Sequence, residues 1–248
     1  MIGKTTRLAR LFREDGRAVV IALDHGQFKG AMPGLEDMPS IVLRVVDGGA
    51  DGIILNPGAL ERSAASYAGR CALIVRVTGA STDANPCFDY HRQILSIERA
   101  VAVGADAVIA MGFLGGPGEA ASLALLAEIA ESCARWGMPL VAEMLIADPK
   151  KFHDVPSIAL GARVAYELGA DVVKAYGGGE PTFADIPRSC PVPVLVAGGA
   201  KSEDSAEMAR QAVKRGAAGV AFGRTVFGTA NPTDAVRALV EAVHGKGG

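Results

Sequence analysis

Lys174 is the residue of this 248-residue chain whose setting first points to chemistry. It ends the run Asp171-Val-Val-Lys174, continues into Ala175-Tyr176, and has Gly169 before it and Gly177-Gly-Gly179 after it. An apolar run of that length between glycines reads as a short, fully buried strand of the kind that parallel sheets cover on both faces. Such a strand has no structural use for a charge. An ammonium in an apolar interior is disfavoured, which favours the neutral, nucleophilic amine, and a desolvated lysine can form a Schiff base with a carbonyl substrate. The alternative is a lysine whose stem packs at the strand end and whose head reaches water.

Two carboxylates share that setting. Side chains alternate along a strand, so Val172 and Lys174 fall on one face, as do Val20, Ala22 and Asp24, and Val141, Glu143 and Leu145. Carboxylates beside a lysine can move the protons of carbinolamine dehydration and carbon-carbon cleavage. For Asp24 the competing role is a cap for the loop after it. Glu143 has as its competing role an ion pair holding Arg76 or Lys174. His25 reads as an organiser of the same loop or as a proton carrier. Gly198-Gly199 and Gly223-Arg224 follow the last two predicted strands, where exposed backbone N-H groups and a helix N-terminus hold phosphate in many barrels. Arg224 would add a bidentate contact and Lys201 a point charge, with Arg76 as a further substrate-binding cation. Plain turn geometry is the other explanation for the glycines.

The elements that must position these residues repeat. A Gly-Ala-Asp or Gly-Ala-Ala triplet precedes an apolar run at Gly49, Gly104, Gly169 and Gly216, and each glycine suits the left-handed conformation that ends a helix. The runs that follow are 52–55, 107–111, 172–174 and 219–222; others lie at 18–23, 72–75, 140–142 and 192–196. Amphipathic stretches separate them, and a short helix is predicted over residues 5–12, ending at Asp15-Gly16. The stretch 183–188 contains Pro187, which predicts a weak helix. Strand and helix alternating eight times predict a (β/α)8 TIM barrel with a short N-terminal helix, one domain over residues 1–248. Active sites of that fold lie at the C-terminal strand ends. The triplet aspartates Asp51, Asp106 and Asp171 then sit on the opposite rim and read as structural. Residues 27–39, 78–90 and 145–156 form loops long enough to bind or cover substrate, and 111–118 reads as a flexible lip.

Composition narrows the partner. Half of the residues are hydrophobic and the formal charge is -2, with both signs interspersed, so no basic stripe invites nucleic acid or a membrane surface. Cys71, Cys87, Cys133 and Cys190 are far apart, against a disulfide framework and a zinc site. Histidines at 25, 91, 153 and 244 are scattered, so no metal site is expected. No segment reaches the roughly 18 apolar residues of a membrane span and no signal peptide is present, so the expectation is a cytoplasmic protein acting on a small molecule.

Ala22-Leu-Asp-His-Gly26, Gly169-Ala-Asp-Val-Val-Lys174, Pro191-Val-Pro-Val-Leu-Val-Ala-Gly-Gly199 and Gly219-Val-Ala-Phe-Gly-Arg-Thr-Val-Phe227 are similar, in order, to motifs of the archaeal-type class I fructose-bisphosphate aldolases of the deoxyribose-phosphate aldolase superfamily. The resemblance spans nearly the whole chain. It implies Lys174 as the Schiff-base lysine, Asp24 as its helper, and Gly198, Gly199, Gly223 and Arg224 around a substrate phosphate. It further implies a covalent lysine imine in place of any cofactor, and a homo-oligomer, decamers being among the family's assemblies. One position departs. Family members that cleave fructose 1,6-bisphosphate carry Tyr-Pro-Arg-Gly after the fifth strand, with the tyrosine moving protons, and here Leu145 falls at that tyrosine's place. Either Glu143 takes over, or the substrate differs. The autoinducer-2 phosphate thiolase of the same family also lacks that pattern and resembles Asp24-His-Gly-x-Phe-x-Gly30 and Gly34-Leu-Glu36. Other relatives join sugar phosphates to aspartate semialdehyde. The sequence therefore leaves three readings: a Schiff-base aldolase acting on a phosphorylated ketose or ketone, acyl transfer to coenzyme A, and sugar-phosphate binding without turnover.

Overall fold

β-branched and leucine residues at alternating positions need two apolar surfaces to face, and here the sheet supplies both by closing on itself. The computed structural model describes residues 1–79, 81–84, 91–177, 184–198 and 204–245. Its strands are β1 (Ala18–Ala22), β2 (Gly52–Leu55), β3 (Ala72–Arg76), β4 (Thr78–Gly79), β5 (Arg92–Gln93), β6 (Ala107–Leu114), β7 (Leu140–Ile146), β8 (Val172–Ala175), β9 (Val194–Ala197) and β10 (Gly219–Phe222). All but β4 and β5 form a closed parallel barrel in the order β1-β2-β3-β6-β7-β8-β9-β10, with β10 pairing back to β1. This is the predicted eight-stranded (β/α)8 architecture. The helices are α1 (Ile2–Leu11), α2 (Gly26–Lys29), α3 (Met38–Asp47), α4 (Leu60–Tyr67), α5 (Ile97–Ala102), α6 (Glu119–Trp136), α7 (Val155–Glu167), α8 (Asp185–Ser189), α9 (Ser205–Lys214), α10 (Arg224–Phe227) and α11 (Pro232–His244).

Val20, Ala22, Ile54, Ile74, Ile109, Val141, Val172, Leu195 and Ala221 fill the barrel, while Val19, Ile21, Ile53, Leu73, Val75, Val108, Val173, Val196 and Val220 belong to the larger cluster under the helices. The alternation is therefore the expected one, and it turns Asp24, Glu143 and Lys174 inward. Gly49, Gly104, Gly169 and Gly216 all have positive φ, so each triplet glycine does end its helix in the conformation that a side chain resists.

The N-terminal rim is closed by α1, which begins at Ile2, earlier than its apolar spacing predicts. Polar anchors explain the difference. Lys4 pairs with Asp171 at 2.8 Å, Arg10 with Asp106 at 2.9 Å, and Arg13, just beyond the helix, with Asp51 at 2.5 Å. Each aspartate also accepts a backbone N-H, from Leu140, Leu73 and Val19 respectively. Leu11 then plugs the bottom of the barrel, over Gly52, where a Cβ would lie 2.8 Å from the Leu11 side chain. Burying such a leucine stabilises by roughly 2–3 kcal/mol.

Several predicted boundaries shift. β6 runs through Leu114, so the first half of the lip expected at 111–118 is strand, paired with β7 from Val108↔Leu140 to Leu114↔Ile146. The Phe113 N-H donates to Ser122 Oγ at 2.9 Å, and Gly112 leaves room for the Met144 thioether. α7 starts at Val155 because Asp154 caps it through the Ser157 N-H. The ribbon of β4 and β5 was not expected; Thr78 pairs with Gln93 and Gly79 with Arg92.

Candidate active site

Four buried charged side chains meet inside the C-terminal mouth, each delivered by a different strand. Lys174 is the third residue of β8, and the register Glu143↔Lys174 sets it beside Glu143 of β7, with Nζ 2.6 Å from Oε1. Arg76 ends β3 and donates from Nη2 to Glu143 Oε2 at 2.5 Å. The same guanidinium donates to Asp24 Oδ2 from Nε at 2.7 Å and from Nη2 at 2.5 Å. Asp24 follows β1, and its own carbonyl accepts from Asn56 Nδ2 at 2.7 Å, which ties the ends of β1 and β2 together. None of the four exceeds 4% exposure. Two cations and two anions balance, which is how a barrel interior can hold charge at all.

The Lys174 amine is paired with Glu143, one of the two carboxylates that the alternation sets beside it, and is not held in a wholly apolar pocket. Burial alone would raise the Glu143 carboxyl, but the Lys174 and Arg76 charges outweigh it and hold it well below the usual carboxylate range. Asp24 is likewise lowered against its burial, by Arg76 first and Lys174 next. Both carboxylates are ionised at neutral pH.

Tyr176 completes the group. It lies two residues beyond Lys174, past the end of β8, and its hydroxyl donates to Glu143 Oε1 at 3.2 Å. Burial, with the Glu143 charge next, pushes its phenol well above the usual value, so it remains protonated. Its ring packs on Phe152 at 5.0 Å. Above it opens a cavity of about 450 Å³ lined by His25, Phe28, His91, Met111, Leu145, Phe152, Tyr176 and Arg224. Lys174 is not in the lining; it lies in the layer beneath, joined to the cavity through Glu143 and Tyr176.

The other predicted site residues fall into place unevenly. His25 packs against Phe227 and Phe28, and its Nδ1 stands 3.7 Å from Asp24 Oδ1, beyond hydrogen-bonding distance. Burial lowers its pKa in spite of the Asp24 charge, so the ring is neutral at pH 7. It fits against Gly223, where a Cβ would lie 2.5 Å from His25 Cε1 and 2.8 Å from the Ala22 carbonyl oxygen. That close approach alone requires glycine at 223. Arg224 is exposed at the edge of the cavity. Gly198 follows β9, and a Cβ there would come 3.0 Å from the Phe222 ring. Gly199, Lys201 and Cys87 lie outside the described residues. Arg76, expected as a substrate-binding cation, is 3% exposed; its Nε and Nη2 are committed to two carboxylates, while its buried Nη1 has no partner among the described residues.

Two lining residues were missed by sequence reasoning. Tyr176 was within reach of it, because the parity that turns Val172 and Lys174 inward turns residue 176 the same way. His91 had no such signal. It is 8% exposed, packs edge-on against Phe113 at 5.0 Å, and is pushed down to about 4 by burial, with Arg76 next. Among the described residues no group of acidic, histidine and cysteine side chains could hold a metal ion, and no helix is long and apolar enough to cross a membrane.

This geometry has close counterparts. The chain is 36% identical over 249 residues, 99% of its length and 92% of the other, to a 2-amino-3,7-dideoxy-D-threo-hept-6-ulosonate synthase of Archaeoglobus fulgidus. It is 34% identical over 251 residues, 98% of this chain and 91% of the other, to a 2-amino-4,5-dihydroxy-6-oxo-7-(phosphonooxy)heptanoate synthase of Streptomyces griseus. Among solved structures, a Schiff-base-forming fructose-1,6-bisphosphate aldolase superposes with a TM-score of 0.88 at 29% identity, covering 97% of this chain and 99% of that one. An archaeal fructose-1,6-bisphosphate aldolase with its catalytic lysine bound covalently to the carbinolamine intermediate gives 0.87 at 29% identity, with 98% and 100% covered. The DeoC/LacD family aldolase profile matches residues 18–229. The chain therefore belongs to the DeoC/LacD aldolase family and is an aldolase, a lyase of the Schiff-base class.

Proposed function

We propose that this aldolase joins or cleaves a carbon-carbon bond between a phosphorylated hydroxyketone and an aldehyde, with Lys174 as the residue that forms the Schiff base. The observation that carries the reading is the amine of Lys174 held 2.6 Å from Glu143 within a charge-balanced, buried set at the C-terminal mouth. Lys174 attacks the ketone carbon, Asp24 assists loss of water from the carbinolamine, and the resulting iminium accepts the electron pair of the breaking bond. Glu143 lies against the amine and moves protons there. Arg76 keeps both carboxylates ionised and in position. Arg224 and the N-H groups near Gly198 and Gly223 hold the phosphate, together with Gly199 and Lys201.

The relatives suggest the substrate class. The compound named for the Streptomyces griseus relative has a ketone at carbon 6, hydroxyls at carbons 4 and 5 and a phosphate at carbon 7. Its carbon-4 hydroxyl is β to the ketone, so an aldol disconnection between carbons 4 and 5 gives a three-carbon phosphorylated hydroxyketone and a four-carbon amino-acid aldehyde. The donor half is proposed for this chain, with an acceptor that fits a cavity lined by Phe28, Met111, Leu145 and Phe152. A homo-oligomer is part of the same proposal, to be read by light scattering.

The test is to incubate the protein with dihydroxyacetone phosphate and a panel of aldehydes, with and without EDTA, and to follow new carbon-carbon bonds by mass spectrometry. Product that survives chelation supports the reading. A coenzyme A thioester formed from a phosphorylated diketone would move the assignment to acyl transfer, and ligand-dependent thermal stabilisation with no product to binding without turnover.

A further inference from the structure

Among the described residues Glu143 Oε1 has two polar partners, and only one of them reaches the cavity. Lys174 Nζ lies 2.6 Å away below the floor, and the Tyr176 hydroxyl lies 3.2 Å away on a ring that lines the cavity. Of the described strand residues that line the cavity, Met111, in register with Glu143, and Leu145, two residues beyond Glu143, carry no proton. His25, His91, His153, Lys29, Ser81 and Arg224 also line the cavity; the Asp24 carboxylate is out of hydrogen-bond reach of His25, His91 packs on Phe113, and it is Tyr176 whose hydroxyl meets Glu143. We propose that Tyr176 is the residue that exchanges a proton with the substrate in the carbon-carbon step, with Glu143 behind it as the proton's second station. This rests on the Schiff-base reading of Lys174.

The proton balance of the reaction fits a single relay. In cleavage, the hydroxyl on the aldehyde-forming carbon passes its proton to the Tyr176 oxygen while the phenol's own proton moves to Glu143 Oε1. The bond to the neighbouring carbon breaks, its electron pair enters the iminium, and the aldehyde leaves. The enamine carbon then takes a proton back along Glu143 and Tyr176, and hydrolysis frees the ketone. The proton removed from oxygen is the one required at carbon, so no external acid or base is consumed. Addition runs the same steps in reverse.

Electrostatics give the relay its timing. The Lys174 charge is the foremost opposing influence that keeps Glu143 ionised against its burial. As the iminium collapses to a neutral enamine that charge is lost, and Glu143, then opposed by Arg76 alone, takes up the proton more readily. When the iminium returns, Glu143 releases it. Tyr176, kept protonated by burial, always has a proton to pass.

Tyr176→Phe removes one oxygen and keeps the ring on Phe152. Wild type and variant are each incubated with dihydroxyacetone phosphate, reduced with borohydride, and compared for adduct on Lys174; turnover with an accepted aldehyde is measured in parallel. Equal adduct with kcat reduced roughly 10²- to 10⁴-fold and KM little changed is the expected result. Turnover within about threefold of wild type, with the adduct intact, overturns the role of Tyr176 alone. Absence of adduct in the wild type overturns the Schiff-base reading and this role with it. Should Tyr176→Phe fail to fold, 3-fluorotyrosine at 176 keeps shape and hydroxyl: its more acidic phenol should move the alkaline limb of the kcat profile to lower pH, and an unmoved limb counts against the proposal.

Discussion

The two ends of the barrel use the same chemical pairs for different ends. At the N-terminal rim Asp51, Asp106 and Asp171 each take a backbone N-H from a neighbouring strand as well as a cation from the N-terminal segment. Their cations reach solvent to differing degrees, from 17% exposure of the Lys4 side chain to 61% of Arg10, and Asp51 is met in addition by the buried His244. If a cation is lost, the aspartate keeps its N-H and gains water. At the C-terminal mouth the described partners of the Asp24 and Glu143 side chains are themselves side chains, Arg76, Lys174 and Tyr176, and none is replaced by solvent. A carboxylate held by backbone is fixed. One held by a lysine that becomes an imine, as proposed for Lys174, would change state when the lysine does, and on that proposal the mouth is suited to chemistry and the base to stapling.

Substitutions at the two ends should therefore behave differently. Lys174→Met is expected to lower turnover by roughly 10⁴-fold or more, the scale seen when a covalent nucleophile is lost; a steady-state assay above the uncatalysed rate checks this. Asp24→Asn should lower kcat by roughly 10²- to 10⁴-fold through slow carbinolamine dehydration, with the adduct accumulating more slowly in a rapid-quench trap. Arg76→Met leaves two buried carboxylates facing each other with one cation, and should destabilise by about 3–5 kcal/mol in urea unfolding.

A pH titration of stability separates the ends further. His91 has a pKa pushed down to about 4 by burial and then Arg76, so the fold favours its neutral form. An unfolded histidine titrates near 6.5, so this stability is present above about pH 6.5 and is lost as the pH falls towards 4, on the order of 3 kcal/mol in all. His91→Phe should flatten that slope. Asp24 and Glu143, both depressed, give stability that is present above about pH 4 and lost as the pH falls below it. At the base, Arg10→Ala should cost less than about 1 kcal/mol and leave turnover unchanged. A large loss there would show that the two ends are not so different.

Much of this was legible in the sequence because it follows from period and sterics. The triplet glycines mark helix ends and so fix where the strands begin, and period two then turns Asp24, Glu143 and Lys174 inward. The pairing of Glu143 with Arg76 or Lys174 was read as its competing role, and both pairs are present; the pairing of Arg76 with Asp24 was harder to read. Arg76 looked like a cation for substrate because alternation shows direction and not what waits there; only the closed barrel brings Asp24 and Glu143 to either side of it. The same closure supplies Lys174 with its carboxylate. Tyr176 was hidden by its place just beyond a strand end, where inward parity is easily dropped. The length of β6 and β7 depended on close packing at Gly112, which no local pattern states.

The central claim is that Lys174 carries the substrate. Incubation with dihydroxyacetone phosphate, borohydride reduction and peptide mass mapping tests it most directly, with Lys174→Met as control. The account predicts a stable mass increase on the peptide containing Lys174, absent from the control. An adduct confined to another lysine, or none with any phosphorylated ketone, would contradict it.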